Sequence, residues 1–290
     1  MKKKIFYWSP CLNPVGTIKS TINSAASLSK YSAEYEVSII NACGEWDNYS
    51  NLLKKYSINI IKLDSNYFRF LPKKGYLSSR FSYLIIYLLS FFSLLKLLRK
   101  EQPNIIILHL ITSLPLTLLS LFTFQTKFIL RISGYPKLNF LRKFFWAKLS
   151  KKLVCVTSPT IDLKSELEIN NIFPNCKILY LPDAIIEVNT IPNLLNQETI
   201  NNNFPKNKKV IISVGRLTKQ KNFSYLIKEF FEFSKEYKEY VLLIVGDGEE
   251  KKNLQNIIKK NNLKNKVFLL GYKHNIYDYM KLVSYQRQIV

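Results

Sequence analysis

The chain has 290 residues, a net charge of +23, and a composition that is 47% hydrophobic and 14% aromatic. This length and apolar content predict about two domains with packed cores and exclude a disordered chain. The four cysteines lie far apart without a CxxC pair, and the chain has only two histidines. That pattern argues against a zinc site and favours a reducing compartment.

The first half of the chain alternates short apolar runs with helical patterns, which is typical of a doubly wound parallel sheet. Helices are expected from about residue 18 to 30, after residue 113, and over residues 138–149. The strand at 105–108 is expected to be central. The runs predicted as strands are residues 5–8, 37–40, 58–61, 105–108, 127–132, 153–156 and 177–180.

Residues 76–98, YLSSRFSYLIIYLLSFFSLLKLL, are the strongest membrane candidate in the chain. Their uninterrupted apolar or small core, residues 82–95, is fourteen residues long and is closed by Arg80 and Lys96. Because spanning hydrocarbon requires about twenty residues, we expect a long helix that is buried on one side or lies at an interface. A core helix of a doubly wound domain and an interfacial helix both remain open.

Positive charge is concentrated in this half of the chain. Residues 65–161 hold fifteen Lys or Arg residues and one acidic residue, Glu101. A field of one sign attracts anionic lipid surfaces or nucleic acid. The basic, aromatic helix at 138–149 is either a membrane-surface element or a helix with a solvated flank. No motif of exposed aromatics interleaved with cations is recognisable, so no nucleic-acid partner is expected.

The N-terminus, MKKKIFYWSP, is basic, but its apolar run ends before Pro10. About four apolar residues are too few for the hydrophobic region of a signal peptide. We therefore expect a cytoplasmic protein, which its charge could bring to the cytoplasmic face of the membrane as a peripheral protein.

Residues 187–209 contain an Asn run and no sustained period, and they are predicted to be an interdomain linker. The next stretch, 210–248, predicts a strand, a helix and a strand, each strand ending at a glycine. Arg216 and Lys221 follow the first of these strands, beside a helix N-terminus. Two cations there suit a diphosphate, because Arg can bind phosphate oxygens bidentately and Lys adds a mobile charge. They could equally be ordinary surface residues of a lysine-rich chain.

Residues 210–281, which include VGRLTKQKNFSYLIKEF, run as strand, Gly-Arg-x4-Lys, helix, strand, Gly-x-Gly, helix and strand-Gly-Tyr. In this order they resemble the donor-nucleotide domain of family 4 glycosyltransferases, which are retaining enzymes of the GT-B fold. The resemblance implies two Rossmann-like, doubly wound parallel-sheet domains that face a cleft, the second one incomplete. The implied division is an acceptor-side domain over 1–186, a linker over 187–209 and a partial nucleotide-sugar-binding domain over 210–290.

By motif position the resemblance assigns roles in the second domain. It implies that Arg216 and Lys221 contact the diphosphate of the donor and that Gly246 belongs to a donor loop at the cleft. The loop formed by Gly271, Tyr272 and Lys273 resembles the part that borders the nucleotide base.

Two stretches of the first domain also resemble family motifs. The loop before the first helix usually carries Gly-Gly and faces the reaction centre; here Gly16 is followed by Thr17, which keeps the backbone donors and adds a side chain. HLITSLP resembles a His-x5-Pro pattern whose histidine approaches the anomeric centre of the donor sugar, so His109 is the candidate catalytic residue. A lone histidine in an apolar context is otherwise a satisfied core residue. Ser133 stands where many relatives have another histidine.

The reaction implied by the resemblance is transfer of a hexose from a nucleotide diphosphate sugar to a hydroxyl of a glycan or lipid-linked acceptor. ILRISGYPKLNFLRKFFW resembles the members that build capsule or lipopolysaccharide. Preorganised cations would stabilise the departing diphosphate, and the chain has no Asp-x-Asp motif. No metal or other cofactor is therefore expected.

Family members continue with a Glu-x7-Glu motif whose carboxylates bind the donor sugar and ribose, whereas this sequence runs KLVSYQRQIV. We therefore expect a C-terminally truncated glycosyltransferase of impaired activity. The alternative is a non-catalytic basic module that binds an anionic membrane surface or nucleic acid.

Overall fold

The computed structural model describes residues 2–12, 16–63, 66–72, 76–136, 138–183, 208–273, 276–277 and 279–280. The chain divides into two compact units, Met1–Ile186 (unit 1) and Glu187–Val290 (unit 2). The predicted linker lies outside the described residues, apart from Lys208 and Lys209.

Unit 1 is built on one sheet of seven strands in the order β3-β2-β1-β4-β5-β6-β7. Every neighbouring pair in this sheet is parallel, and β4 is the central strand, as predicted. The strands are β1 (Lys3–Trp8), β2 (Tyr35–Asn41), β3 (Asn59–Lys62), β4 (Ile105–Leu108), β5 (Lys127–Arg131), β6 (Leu153–Ser158) and β7 (Ile178–Tyr180).

Helices cover both faces of this sheet, which confirms the doubly wound prediction. On β1, Ile5 and Tyr7 join one buried cluster with α1 and α2, whereas Phe6 and Trp8 join a second cluster with α3 to α6. Successive side chains of a strand point to opposite faces, so one strand feeds both cores. The helices are α1 (Gly16–Tyr31), α2 (Ser50–Lys55), α3 (Tyr76–Glu101), α4 (Ser113–Leu121), α5 (Phe140–Ser150) and α6 (Ile161–Ile169).

Helix α3 is buried on one side, as expected from the sequence. Ile86, Leu94 and Leu98 of this helix are buried in the core of unit 1. By length and composition alone, Ser78–Glu101 could also cross a membrane, since it has 24 residues and contains an 18-residue window with a mean hydropathy of 2.0. The core helix of a soluble protein meets the same criteria, so this property alone does not separate the two interpretations of the helix.

Unit 2 contains, in its described part, three parallel strands in the order β10-β9-β8. Leu242 and Ile244 of the middle strand pack with two amphipathic helices, while Val241 and Leu243 face a smaller cluster on the other side. The elements are β8 (Lys209–Val214), α7 (Phe223–Glu236), β9 (Tyr240–Val245), α8 (Lys251–Lys260) and β10 (Val267–Gly271).

Candidate functional site

His109 follows β4 directly, at the carboxyl edge of the unit 1 sheet, where ligands of such sheets bind. Its backbone N–H donates to the carbonyl of Trp8 at 2.9 Å, which extends the pairing of β1 and β4 by one residue. The side chain is only 5% exposed. Its position at the strand end matches the sequence-based expectation, and its contact with a sugar stays a prediction.

Both ring nitrogens of His109 have hydrogen-bond partners. Nδ1 lies 2.7 Å from Thr21 Oγ1, and Nε2 lies 2.8 Å from Ser133 Oγ. The Thr21 hydroxyl donates to the carbonyl of Thr17 at 2.8 Å. Its oxygen therefore accepts from the ring and from the hydroxyl of Ser9, 3.1 Å away. This network assigns the ring proton to Nδ1, with the Ser133 hydroxyl donating to Nε2.

The electrostatic environment keeps His109 neutral. Its pKa is lowered to about 4, first by burial and then by the positive charge of Arg131, while Asp183 acts in the opposite direction. A buried imidazole loses the solvation that stabilises its charged form. At neutral pH the residue can therefore hydrogen-bond or accept a proton, but it does not supply a positive charge.

An arginine–aspartate pair lies at the end of the neighbouring strand, β5. Arg131 donates to Asp183 Oδ1 through both Nε and Nη2, and Nη2 also donates to the carbonyl of Leu181 at 3.0 Å. The hydroxyl of Ser20 donates to the same carboxylate oxygen at 2.6 Å. Burial acts to raise the pKa of Asp183, but the hydrogen bonds from Ser20 and Arg131 hold it below its usual value. Sequence reasoning missed this pair; an arginine ending an apolar strand was the available signal.

Gly16 and Thr17 are the first residues of α1. A side chain added at Gly16 would meet no atom within 4 Å, so no described neighbour requires glycine there. Thr17 is connected to His109 through Thr21, and the Thr17 hydroxyl is buried without a hydrogen-bond partner among the described residues. The structure therefore brings the predicted loop and the predicted histidine into one network. Contact of the loop with the donor stays a prediction.

In unit 2, backbone hydrogen bonds hold together the loops that follow β8 and β9. Gly215 donates to the carbonyl of Val245 at 3.0 Å, and Leu217 donates to that of Asp247 at 3.0 Å. A Cβ at Gly246, whose φ is +149°, would lie 1.9 Å from the carbonyl oxygen of Gly215. Only glycine combines that backbone conformation with that approach.

Arg216 and Lys221 are exposed in the first of these loops. Lys221 ends a short 3-10 turn, and Asn222 then adopts a left-handed conformation with φ of 49°. The Lys221 stem passes over Gly215, because a Cβ built on that glycine would lie 3.8 Å from Lys221 Cδ. Neither cation forms an ion pair within the ranges that the structure describes. Two positive charges thus lie beside the end of β8, and no carboxylate of the described residues forms an ion pair with them.

The third predicted loop follows β10 and joins the same edge. The carbonyl of Gly271, whose φ is +72°, accepts from the backbone N–H of Gly246 at 2.9 Å. Tyr272 is exposed, and Lys273 Nζ lies 5.8 Å from the ring centre of Tyr279. The structure therefore gathers the three predicted loops of unit 2 at one sheet edge. Contact of the last loop with a nucleotide base stays a prediction.

Two further expectations from the sequence, on the Glu-x7-Glu motif and on metal binding, concern residues outside these loops. The expectation of a missing Glu-x7-Glu motif concerns sequence after β10, and residues 281–290 lie outside the described ranges. Within those ranges, no group of three or more His, Cys, Asp and Glu side chains is arranged to hold a metal ion. The His109 network and the cation loop lie in different units.

Two α/β units with parallel sheets, each with candidate site residues at the carboxyl ends of its strands, are the architecture of the GT-B fold. Residues 196–284 match the family described as Glycosyl transferases group 1. An uncharacterized glycosyltransferase of Methanocaldococcus jannaschii is 29% identical over 214 residues, which cover 66% of this chain and 50% of that protein. Residues 196–284 are thus similar to the group 1 glycosyltransferases, and the chain has the GT-B fold.

A second relative carries a specific name. The N-acetylgalactosamine-N,N'-diacetylbacillosaminyl-diphospho-undecaprenol 4-alpha-N-acetylgalactosaminyltransferase of Campylobacter jejuni is 32% identical over 166 residues, which cover 54% of this chain and 42% of that protein. The chain thus spans about half the length of these curated relatives.

A solved structure extends the likeness of fold to nearly the whole chain. Anabaena HepE, in complex with UDP and glucose, aligns with a TM-score of 0.59 over 97% of this chain and 72% of that one, at 14% identity. At this identity the likeness concerns the fold.

Proposed function

We propose that the chain transfers a hexose from a nucleoside diphosphate sugar to a hydroxyl of a glycan or lipid-linked acceptor, in the synthesis of a surface polysaccharide such as capsule or lipopolysaccharide. The observation that carries the proposal is the exposed pair Arg216 and Lys221, in a loop fixed by backbone hydrogen bonds. The names of the relatives support it, since one is a glycosyltransferase for a diphospho-undecaprenol-linked acceptor and another structure contains UDP and glucose.

The cation loop suits the chemistry of a departing diphosphate. As the bond from the sugar to the diphosphate breaks, negative charge grows on the phosphate oxygens. Cations that are already in position stabilise this charge without reorganisation during the reaction. Arg216 and Lys221 are held beside the edge where Gly215, Gly246 and Gly271 meet, so a ligand can approach the backbone closely. We propose that this charge stabilisation needs no divalent metal and that the reaction retains the anomeric configuration.

In this proposal His109 is less directly placed to contact a substrate than the cations of unit 2 are. Ser133 is exposed and donates to Nε2, whereas the imidazole beneath it is buried. The exposed residue in contact with the imidazole is therefore Ser133. We propose that His109 acts on a sugar hydroxyl either after displacing Ser133 or through the Ser133 oxygen, with Gly16 and Thr17 lining the same region.

The remaining parts of the proposal concern location and the alternative function. A cytoplasmic location gives access to nucleotide sugars, and the loop at Gly271, Tyr272 and Lys273 would border the base.

A non-catalytic basic module finds no support in the comparisons, because both curated relatives are named glycosyltransferases.

Titration calorimetry with UDP, GDP and ADP tests the donor site. Each charge-assisted contact contributes about 1.5–3 kcal/mol, so Arg216→Ala and Lys221→Ala should each weaken the binding of the preferred nucleotide by at least about tenfold. Lys260→Ala is the matched control, because it removes one exposed cation at the far end of α8.

Three outcomes would contradict the assignment. The first is unchanged affinity in both loop variants, and the second is an equal loss in Lys260→Ala. The third is the absence of measurable binding of all three nucleotides to the wild-type chain.

A further inference from the structure

Helix α3 exposes a continuous apolar ridge on the side opposite its buried face. Phe81, Leu84, Leu88 and Phe92 are all more than half exposed, with Phe92 at 77%. Their spacing of three or four residues aligns them along one side of the helix. From Phe81 to Phe92, eleven steps along the helix, the ridge is about 16 Å long. Large apolar side chains in such a row on a water-soluble surface are typical of an interaction site.

Helix α5 also has one side that is buried and another that exposes apolar side chains. Phe140, Leu141 and Phe144 are exposed, with Phe140 at 82%, whereas Leu149 is buried. The ring of Trp146 faces inward and stacks on Phe173 at 5.2 Å. The outward aromatic side chains of this helix are therefore not needed for its packing on unit 1.

The two helices lie next to each other at their N-terminal ends. Arg80 of α3 and Arg142 of α5 line one groove together with Leu138 and Asn139, and Tyr83 lines its continuation. Helix α4 packs against both α3 and α5. The apolar ridge of α3 and the outward side of α5 thus belong to one region of unit 1, with two guanidinium groups between them.

The charges on α3 and α5 themselves are almost all positive. Lys96, Arg99 and Lys100 follow the ridge on α3, and Lys143 and Lys148 are exposed on α5. The single acidic residue between positions 65 and 161 is Glu101. Its carboxylate forms an ion pair with Lys4 at 2.8 Å, so its charge is already paired with a lysine outside α3 and α5. A partner for this surface must therefore have both an apolar region that the ridge can enter and negative charge.

The buried face of α3 limits how the helix can meet a bilayer. Ile86, Leu94 and Leu98 are at most 1% exposed and form part of the core of unit 1. A membrane-spanning α3 would have to leave that core. A helix that keeps its inner face packed can instead insert its outer face about 5–10 Å into the boundary between headgroups and acyl chains.

We propose that the outward faces of α3 and α5 form a docking surface for an anionic phospholipid bilayer. The apolar ridge enters the interface, and the surrounding lysines and arginines contact lipid phosphates. This surface lies in unit 1 and does not depend on the donor chemistry proposed for unit 2. Its function would be to hold the chain at a membrane surface.

Sedimentation of the full chain with vesicles tests the proposal. Vesicles of phosphatidylglycerol and phosphatidylcholine in equal parts should bind it at least about tenfold more tightly than pure phosphatidylcholine, because each basic residue near the surface contributes about 1 kcal/mol. The preference should fade as salt is raised, since exposed charges are screened within about 10 Å at 0.1 M.

Paired variants separate the apolar and the electrostatic contributions. Leu88→Ser with Phe92→Ser should weaken binding to the anionic vesicles by at least about tenfold. The matched control is Tyr31→Ser with Leu52→Ser, which removes an exposed aromatic and an exposed leucine from α1 and α2 on the other face of the sheet. That control should bind as the wild type does.

The charge test reverses Lys143 and Lys148 to Glu and uses Lys54→Glu with Lys55→Glu as its control. Only the α5 variant should lose binding, again by at least about tenfold. All substituted positions are exposed, so circular dichroism should show intact folds. Equal binding to neutral and anionic vesicles would overturn the proposal. Two other results would also overturn it. One is binding of the Leu88→Ser, Phe92→Ser variant at the wild-type level. The other is self-association of the chain without vesicle binding, abolished in that variant, because this would identify a second copy as the occupant.

Discussion

The candidate site of unit 1 and that of unit 2 are built in different ways. In unit 1, side chains form the site, and its centre is buried: His109 is held by the buried Thr21 and the exposed Ser133, beside the Arg131–Asp183 pair. In unit 2, backbone groups form the site, and the candidate functional side chains, Arg216 and Lys221, extend from it into solvent. A site made of buried side chains couples function to stability, whereas a site on a backbone scaffold lets the functional side chains change at little structural cost.

The largest effect is expected where the backbone scaffold of unit 2 is broken. Gly246→Ala should destabilise unit 2 by about 3 kcal/mol or more, because the new Cβ must avoid the carbonyl oxygen of Gly215 in a strained conformation. Gly271→Ala is the matched control. It also has a positive φ but no atom within 4 Å of the new Cβ, so a loss of about 1 kcal/mol is expected.

Urea unfolding followed by two signals measures this difference. All three tryptophans, Trp8, Trp46 and Trp146, lie in unit 1, so their fluorescence follows that unit alone. The far-ultraviolet circular dichroism follows both units. The loss in Gly246→Ala should be larger in circular dichroism than in fluorescence, and an equal effect of the two alanine substitutions would contradict the steric explanation.

An intermediate effect is expected from acid on the buried histidine of unit 1. The unfolded chain binds a proton at His109 below its ordinary pKa of about 6.5, whereas the folded protein does so only near its lowered pKa of about 4. Stability from this residue is therefore fully present above pH 6.5 and is lost as pH falls towards 4. Between pH 7 and pH 5 the loss should be about 2 kcal/mol.

His109→Gln provides the comparison for this pH effect. The variant lacks the titrating group, so its free energy of unfolding should fall less over the same range of pH. Carboxyl groups titrate in both proteins and largely cancel in the difference. Parallel pH dependence in wild type and variant, measured by tryptophan fluorescence in urea, would show that His109 is accessible to protons in the folded state.

The smallest effect on stability is expected at the cations of unit 2. Arg216→Ala should change the free energy of unfolding by no more than about 0.5 kcal/mol, because the side chain is exposed and forms no ion pair among the described residues. Circular dichroism during urea unfolding measures this. A clear destabilisation would indicate that Arg216 supports the fold, and a loss of nucleotide affinity could then no longer be assigned to a direct contact.

The fold could be predicted largely from local patterns. The apolar runs ending at residues 108, 214 and 245 predicted parallel strands, and each strand is present with an end within about a residue of the expected one. The long helix at 76–98 was also predicted. Its sequence, however, is apolar nearly all round, so periodicity alone did not determine which side would be buried.

The candidate site was predictable only in part. Motif position identified His109, Arg216 and Lys221, because each follows a strand or opens a helix within a short stretch of sequence. The hydrogen bond between His109 and Thr21 joins residues 88 apart, and the pairing of Arg131 with Asp183 joins residues 52 apart. No local pattern encodes contacts over such separations.

By itself, the sequence determined that this chain forms parallel α/β units and that cations and a histidine follow their strands. These properties depend on side-chain periodicity and on turn residues within a few positions of each other. Only the tertiary structure decided that His109 is buried and neutral, that it is hydrogen-bonded to Ser133, and that the apolar ridge of α3 is exposed. Burial and electrostatic environment depend on distant segments that folding brings together, and for that reason they required the folded chain.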